Sequence, residues 1–456
     1  MKEVLSPYHQ KVVSLACVCT QKEAKSILDI AHNASKKAKN IPLHQRISWL
    51  LDVAGKLEGI KEEMAQTITD EVGKPICFSR MEVERAIETI KLSANAMLHV
   101  NGETFDTTAM PSGKKTLAFY KREAVGVVLA ITPFNFPLNL VVHKIAPALV
   151  AGNAVVLKPT SQAPLTAFKL VKLFIESPYA THDALSLIYS GEGVNEALVG
   201  SEIPRVISFT GSVGVGKEIT QKAGIKKIAL ELGGNAASYI DASANIALAA
   251  KRCAFGAFIN SGQVCISLQR LYVHEAVYEA FSHALVKETQ ALHVGSPYDE
   301  KTFIGPMVNQ NAVNQALRWV QSALDAGAKL LCGFTCKDLM FEPTVMGDVH
   351  EEMRIVCEEV FAPIVSLIKV RTYEEAKMKI NASVYGLQYS LFSNDLSMVH
   401  DAIETFEAGG IVVNDIPTLR FDLQPYGGIK QSGIGKEGPY FALLEDYTQI
   451  KSVVIC

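Results

Sequence analysis

A chain of 456 residues exceeds what one simple hydrophobic core serves, so two or three domains are expected. Hydrophobic residues make up 48%, charged residues 20%, and the formal net charge is −3 without long single-sign runs, which points away from nucleic acid or an anionic membrane as partner. The nine cysteines are an odd count without a secretory pattern, and neither Cys17-x-Cys19 nor Cys332-x-x-x-Cys336 has a second pair at metal spacing, so neither a disulfide framework nor a metal site is expected.

In chain order, the apolar stretch from Val12 to Val18, interrupted by Ser14, is too short and wrongly flanked for a signal peptide or a membrane span, and a cytoplasmic location is expected. The first hundred residues read mainly as helices. Ile27, Leu28, Ala31 and Ala34 follow one face of a first helix, and Ile47, Leu50, Leu51, Ala54 and Leu57 mark a second. Glu82 to Val100 reads as a third. Thr116 to Ile131 is rich in β-formers, with Lys121-Arg122-Glu123 read as a polar turn between two strands. Strands then alternate with helices: Ala154–Leu157, Leu185–Tyr189, Val206–Phe209 and Ile228–Leu230 as strands, Leu165–Phe174 and Val215–Lys222 as helices. Short apolar strands separated by helices indicate an α/β protein with a parallel sheet covered on both faces. A second alternating block runs from Cys253 to Val413, with helices near Glu275–Leu292 and Ala312–Ala326 and strands near Leu271–Val273 and Ser390–Phe392.

Ile207 to Gly216 passes from a strand into a helix through Gly211-Ser212-Val213-Gly214-Val215-Gly216. Backbone amides at such a helix start can hold a pyrophosphate, although the glycine spacing departs from the common dinucleotide fingerprint and an ordinary tight turn fits as well. In Gly152 to Ser161 a buried strand delivers Lys158 to its carboxyl end, where α/β sheets bind ligands; a solvent-facing lysine is the plain alternative. Cys265 lies in Asn260-Ser261-Gly262-Gln263-Val264-Cys265, about thirty residues after Leu230-Glu231-Leu232-Gly233-Gly234. Standing alone, Cys265 reads as a core residue and Asn135, between Pro133 and Pro137, as a turn residue. Glu231 within an apolar run is harder to dismiss, because an unpaired buried carboxylate is costly.

Taken together, these segments resemble the aldehyde dehydrogenase superfamily over essentially the whole chain. The resemblance rests on Pro133-Phe134-Asn135-Phe136-Pro137, Gly152-Asn153 through Lys158-Pro159, Phe209-Thr210-Gly211-Ser212, Leu230 to Gly234, Gly262-Gln263-Val264-Cys265, Glu359-Val360-Phe361-Ala362-Pro363 and Pro425-Tyr426-Gly427-Gly428 through Gly433. It implies an aldehyde dehydrogenase-like α/β fold in three parts. Residues 1–105 and 125–232 would form a Rossmann-like cofactor domain, residues 233–431 an α/β catalytic domain, and residues 106–124 and 432–456 a small β oligomerisation element. Val453 to Ile455 would add an edge strand to a neighbouring subunit of a homodimer or homotetramer.

The resemblance also implies roles. Cys265 would attack the aldehyde carbonyl, the Asn135 amide and the Cys265 backbone N–H would receive the oxyanion, and Glu231 would activate water against the resulting thioester. Thr132, Pro133, Lys158, Ser161, Gly211, Ser212, Gly233, Glu359 and Phe361 would surround the cofactor. Strictly NAD-dependent relatives often carry a glutamate where Ser161 stands; serine removes its repulsion of a 2′-phosphate, so NADP is preferred over NAD. The Phe134–Pro147 stretch resembles the lactaldehyde, non-phosphorylating glyceraldehyde-3-phosphate and phosphonoacetaldehyde branches. Val264 stands where the glyceraldehyde-3-phosphate enzymes place an arginine, which disfavours that substrate. His143, Arg420 and Asp422 are placed near the mouth of a substrate tunnel, and a small hydroxylated or anionic, lactaldehyde-like aldehyde is expected. For Arg420 an intersubunit or surface ion pair is the alternative. Two other activities stay open: acyl transfer to coenzyme A, disfavoured by Glu231, and a catalytically idle binding protein, disfavoured because Cys265, Asn135 and Glu231 are all present.

Overall fold

The computed structural model describes residues 1–456. Its first sheet has six strands in the order Gly433–Ile434, Lys227–Glu231, Pro204–Thr210, Val127–Ile131, Ala154–Lys158 and Leu185–Leu187, all parallel except the first. Successive residues of these strands face opposite ways and enter two separate cores. Val128, Ala130, Val155 and Leu157 pack with Trp49, Leu50 and Leu149 on one side. Val127, Leu129, Val156 and Phe209 pack with Leu28, Leu198 and Ile219 on the other. A sheet buried on both faces explains why these strands read as unbroken apolar runs; each such Val or Leu contributes about 1.5–3 kcal/mol by leaving water.

The second sheet has seven strands in the order Lys329–Cys332, Thr344–Gly347, Ile364–Val370, Leu268–His274, Ala236–Ile240, Gln388–Phe392 and Gly410–Val413, parallel apart from the first. A third, antiparallel sheet pairs Thr448–Ile455 with Leu117–Ala124 and the latter with Thr104–Asp106. Val453–Ile455 is thus paired within its own chain, and its outer edge has no partner there. No helix is long and apolar enough to cross a membrane.

Several expected boundaries shift. The N-terminal residues include two paired strands, Lys2–Leu5 and Val12–Ala16, ahead of the helix Gln21–Ala38. A further helix, Lys61–Val72, buries Met64, Ala65 and Ile68 and stops at Gly73, whose φ is 69°. The helix expected from Glu82 starts at Ile76 and ends at Ala96. Leu51 is exposed, so the second helix buries Leu50, Ala54 and Leu57 without it. Lys121-Arg122-Glu123 is no turn. It lies inside the strand Leu117–Ala124, where Glu123 meets Lys451 across the sheet at 2.7 Å, and the chain turns at Val125-Gly126 instead. Cross-strand charge pairing suits a half-exposed sheet, so charged residues alone did not mark a break.

Candidate active site

Cys265 follows a sharp reversal between the helix Ile246–Phe258 and the strand Leu268–His274. Asn260, Ser261 and Gly262 all have left-handed backbones, with φ of 51°, 56° and 70°. Two consecutive non-glycine residues in that region are strained. Hydrogen bonds hold them: Asn260 Nδ2 donates to Gln263 O at 3.3 Å and to Asn135 O at 3.4 Å, and Ser261 Oγ donates to Gly305 O at 2.8 Å. At Gly262 a Cβ would lie 2.2 Å from Ala362 O, so only glycine fits. The turn leaves Cys265 half-buried, its Sγ 3.0 Å from Tyr426 Oη, and its backbone N–H donates to no protein acceptor. Burial first, and then the charge of Glu231, push the thiol well above its ordinary range, while the Tyr426 contact works the other way.

Asn135 sits on the segment between the strand Val127–Ile131 and the helix Asn139–Val150. Its Nδ2 donates to Gln263 O at 3.1 Å, which aims the amide at the Cys265 turn, and its Oδ1 has no partner. The segment is anchored from below. Glu82 Oε1 accepts from the N–H of Leu138 at 2.9 Å and of Asn139 at 3.0 Å, a carboxylate at a helix N-terminus. Its other oxygen pairs with the buried Lys74, whose ammonium lies 3.9 Å from the centre of the Phe136 ring.

Glu231 ends the strand Lys227–Glu231 and is 3% exposed, yet neither carboxylate oxygen has a hydrogen-bond partner. Burial, reinforced by the charge of Glu437, raises its carboxyl to about 7, against the pull of Arg420. Glu437 is treated differently. It accepts from Lys144 Nζ at 2.9 Å, Arg420 Nη2 at 3.2 Å and Thr210 Oγ1 at 3.3 Å. Burial would raise its carboxyl too, but the cations outweigh it and hold it at about 2.

A cavity of about 310 Å³ opens onto Cys265 and Tyr426. Phe78, Phe136 and Phe255 give it apolar walls, and Lys74, Arg85, Arg252 and Arg420 line it as cations, with Glu82 as the lone lining carboxylate. Their other counter-charges stand behind the wall: Asp422 for Arg85 at 2.8 Å and Asp415 for Arg252 at 2.6 Å. Arg420 lines the cavity, and its burial excludes a surface ion pair. His143 does not face the cavity; its side chain is fully buried and held at 3.0 Å by Asp422. Asp422 is likewise withdrawn, because it satisfies Arg85, His143 and Arg420 at once. Val264 is buried in the apolar cluster beside the thiol.

The expected cofactor residues fall into two groups. Thr132, Pro133, Lys158, Ser161 and Gly211 line one cleft of about 420 Å³ at the carboxyl ends of the first sheet. Ser212 caps the helix Val213–Lys222 at its rim. Lys158 has no carboxylate partner, burial alone lowers its ammonium, and the buried Thr132 hydroxyl is unpartnered. A spare cation, a spare hydroxyl and a helix N-terminus fit a dinucleotide. Gly233, Glu359 and Phe361 form the second group. Glu359 accepts from Gly234 N–H at 3.0 Å, and a Cβ on Gly233 would meet its carboxylate at 2.3 Å. Phe361 meets Phe134, which lines the first cleft, edge-on at 6.0 Å. Tyr426, Arg85, Arg252 and Lys74 also line the cavity, and of these only Tyr426 belongs to a sequence motif, Pro425-Tyr426-Gly427-Gly428.

The two-sheet α/β fold, with a cleft at the carboxyl ends of one sheet that fits a dinucleotide and a half-buried cysteine on a second, cation-lined cavity, is that of an oxidoreductase. The profile described as Aldehyde dehydrogenase family matches residues 1–453. The chain is 39% identical over 453 residues to the 3-sulfolactaldehyde dehydrogenase of Priestia aryabhattai, covering 99% of this chain and 94% of that relative. It is 39% identical over 459 residues to the lactaldehyde dehydrogenase of Methanocaldococcus jannaschii, covering 99% and 97%. The crystal structure of the glyceraldehyde-3-phosphate dehydrogenase GapN from Methanocaldococcus jannaschii, complexed with NADP, superposes with a TM-score of 0.95 at 37% identity, covering 99% of this chain and 98% of that one. The chain belongs to the aldehyde dehydrogenase family. It is an NAD(P)-dependent oxidoreductase acting on small aldehydes.

Proposed function

We propose that the enzyme oxidises a short anionic or hydroxylated aldehyde of the lactaldehyde type to the free acid, with Cys265 as nucleophile, Asn135 as oxyanion donor, Glu231 as base and NADP as the preferred cofactor. The observation that carries this reading is Glu231: a buried carboxylate with both oxygens unpartnered and its carboxyl raised to about 7, electrostatically coupled to the Cys265 thiol.

Cys265 gives its proton to Glu231 and bonds to the carbonyl carbon. The new oxyanion meets the Asn135 amide and the free Cys265 N–H, donors whose individual loss costs roughly 2.7–4 kcal/mol of transition-state stabilisation. The nicotinamide supplies a hydride acceptor when bound. Lys158, Ser161, Thr132 and Gly211 would hold its adenosine half, and Glu359 with Phe361 its nicotinamide half. After passing that first proton to solvent, Glu231 takes a proton from water as the water attacks the acyl carbon, and the S–C bond breaks with Cys265 leaving as a thiolate. A carboxylate left unpaired beside the thiol favours water over coenzyme A as acyl acceptor.

The cationic lining of the cavity supports an anionic aldehyde, and the sulfolactaldehyde and lactaldehyde activities of relatives agree with it. The buried apolar Val264 weighs against a phosphate held at that position. Residues 1–105 and 125–232 are read as the cofactor domain, residues 233–431 as the catalytic one, and residues 106–124 and 432–456 as the oligomerisation element of a cytoplasmic dimer or tetramer, with Val453–Ile455 as its contacting edge. A panel of lactaldehyde, sulfonated and uncharged aldehydes, each with NAD and NADP, tests the reading. The expected result is highest kcat/KM for a small anionic or hydroxylated aldehyde with NADP and free acid as product. A strong NAD preference sinks the cofactor assignment, and acyl-CoA formation sinks the hydrolytic one.

A further inference from the structure

We propose that Tyr426 is a catalytic residue, its phenol donating a hydrogen bond to the Cys265 sulfur and stabilising the thiolate that attacks the aldehyde and later leaves the thioester. The inference rests on the reading of Cys265 as nucleophile. Its basis is geometric. Tyr426 Oη lies 3.0 Å from Cys265 Sγ and has no other protein partner. The ring is 5% exposed and carries the Arg420 guanidinium 3.8 Å from its centre. The backbone is clamped as well: Tyr426 and Glu437 exchange both N–H···O bonds, and Lys436 Nζ donates to Gly427 O. The phenol therefore stays at the sulfur.

A thiol is a weak donor and a weak acceptor, whereas a thiolate accepts strongly. The Tyr426 bond therefore strengthens as negative charge appears on sulfur, which is when stabilisation accelerates a reaction. Burial keeps the phenol protonated, so it acts as donor throughout. The proton balance is closed without it. The Cys265 proton passes to Glu231, the S–C bond forms, the carbonyl electron pair moves to oxygen, and Tyr426 keeps its own proton. On hydrolysis the S–C bond breaks and the sulfur departs as a thiolate accepting the same bond. Lower basicity of the leaving sulfur speeds that step, so the one hydroxyl serves both halves of the reaction.

The test is alkylation of the holoenzyme-competent protein by iodoacetamide at pH 8, with modification of Cys265 followed by peptide mass. Three proteins are compared: wild type, Tyr426→Phe, and a protein carrying 3-fluorotyrosine at position 426. Tyr426→Phe keeps the ring under Arg420 and removes only the hydroxyl. Its alkylation is expected to slow roughly three- to tenfold, the lost thiolate outweighing its gain in intrinsic nucleophilicity, with a matching fall in kcat. The fluorinated phenol is a stronger donor of the same shape and should move the rate the opposite way, a response that a merely structural residue does not give. Equal Cys265 alkylation rates in all three would overturn the proposal, and so would slowing in both variants. Loss of activity through labelling of a cysteine other than Cys265 would instead overturn the nucleophile assignment beneath it.

Discussion

The pocket at Cys265 and the charge network behind it use the same kinds of residue at similar depth, and they are satisfied in opposite ways. In the network, Glu437 accepts from Lys144, Arg420 and Thr210, and Asp422 serves Arg85, His143 and Arg420. Around Cys265, Glu231 has no hydrogen-bond partner, Asn135 Oδ1 has none, and the Cys265 N–H donates to no protein acceptor. The two carboxyls differ accordingly, at about 2 for Glu437 and about 7 for Glu231. Buried groups that are paired hold a shape, and buried groups left unpaired are available to react. The strain of Asn260 and Ser261 belongs to the second kind, because it presents the thiol.

The largest expected effect tests that contrast at its centre: Cys265→Ala should lower kcat by at least roughly 10⁴-fold with cofactor binding retained, measured by steady-state rates and nucleotide titration. Next, Glu231→Gln should cost roughly 10²–10⁴ in kcat. In the wild type the base form appears as pH rises through about 7, so kcat/KM should climb there, and the variant should lose that limb. The sign for stability is opposite. A carboxyl raised in the folded state binds its proton more tightly than in the unfolded chain, so it adds stability at low pH that is lost as pH rises from about 4.5 to about 7. Glu231→Gln should therefore melt no lower than wild type at pH 8. Glu437→Gln should do the reverse, destabilising by about 3 kcal/mol in denaturant titration because it strands Arg420 and Lys144. Equal melting behaviour of the two variants would break the comparison.

Asn135→Ala should lower kcat by roughly 10²–10³ with little change in KM, as expected for a donor that acts on the developing oxyanion. The smallest effect belongs to the cofactor cleft. Ser161→Glu should shift the NADP-to-NAD ratio of kcat/KM roughly tenfold toward NAD and leave aldehyde selectivity alone.

Much of this was legible in the sequence because short motifs carry their own geometry. Cys265, Asn135 and Glu231 each sit in a segment whose turn or strand end fixes where the side chain goes, and Lys158 follows from a strand exit. His143 and Asp422 were misplaced for a physical reason: which face of the tunnel wall a charge takes depends on three elements far apart in sequence, those bearing Arg85, His143 and Arg420. Arg85 and Arg252 lie on amphipathic helices where a charged residue looks like any solvated one. The charged first turn of the Lys61–Val72 helix resembles a solvated loop, although Met64, Ala65, Ile68 and Val72 carry helical spacing. The contact of Tyr426 with Cys265 spans 161 positions, a separation that no local pattern encodes.

The most direct measurement is a single turnover of Glu231→Gln with aldehyde and NADP, followed by stopped-flow absorbance and by intact and peptide mass. The expected result is formation of about one reduced cofactor per site, more slowly than in the wild type because the Cys265 proton must go to solvent, followed by an acyl group that stays on Cys265 because water is no longer activated. A variant that turns over at the wild-type rate without an adduct, or that carries the acyl group on another cysteine, would contradict it.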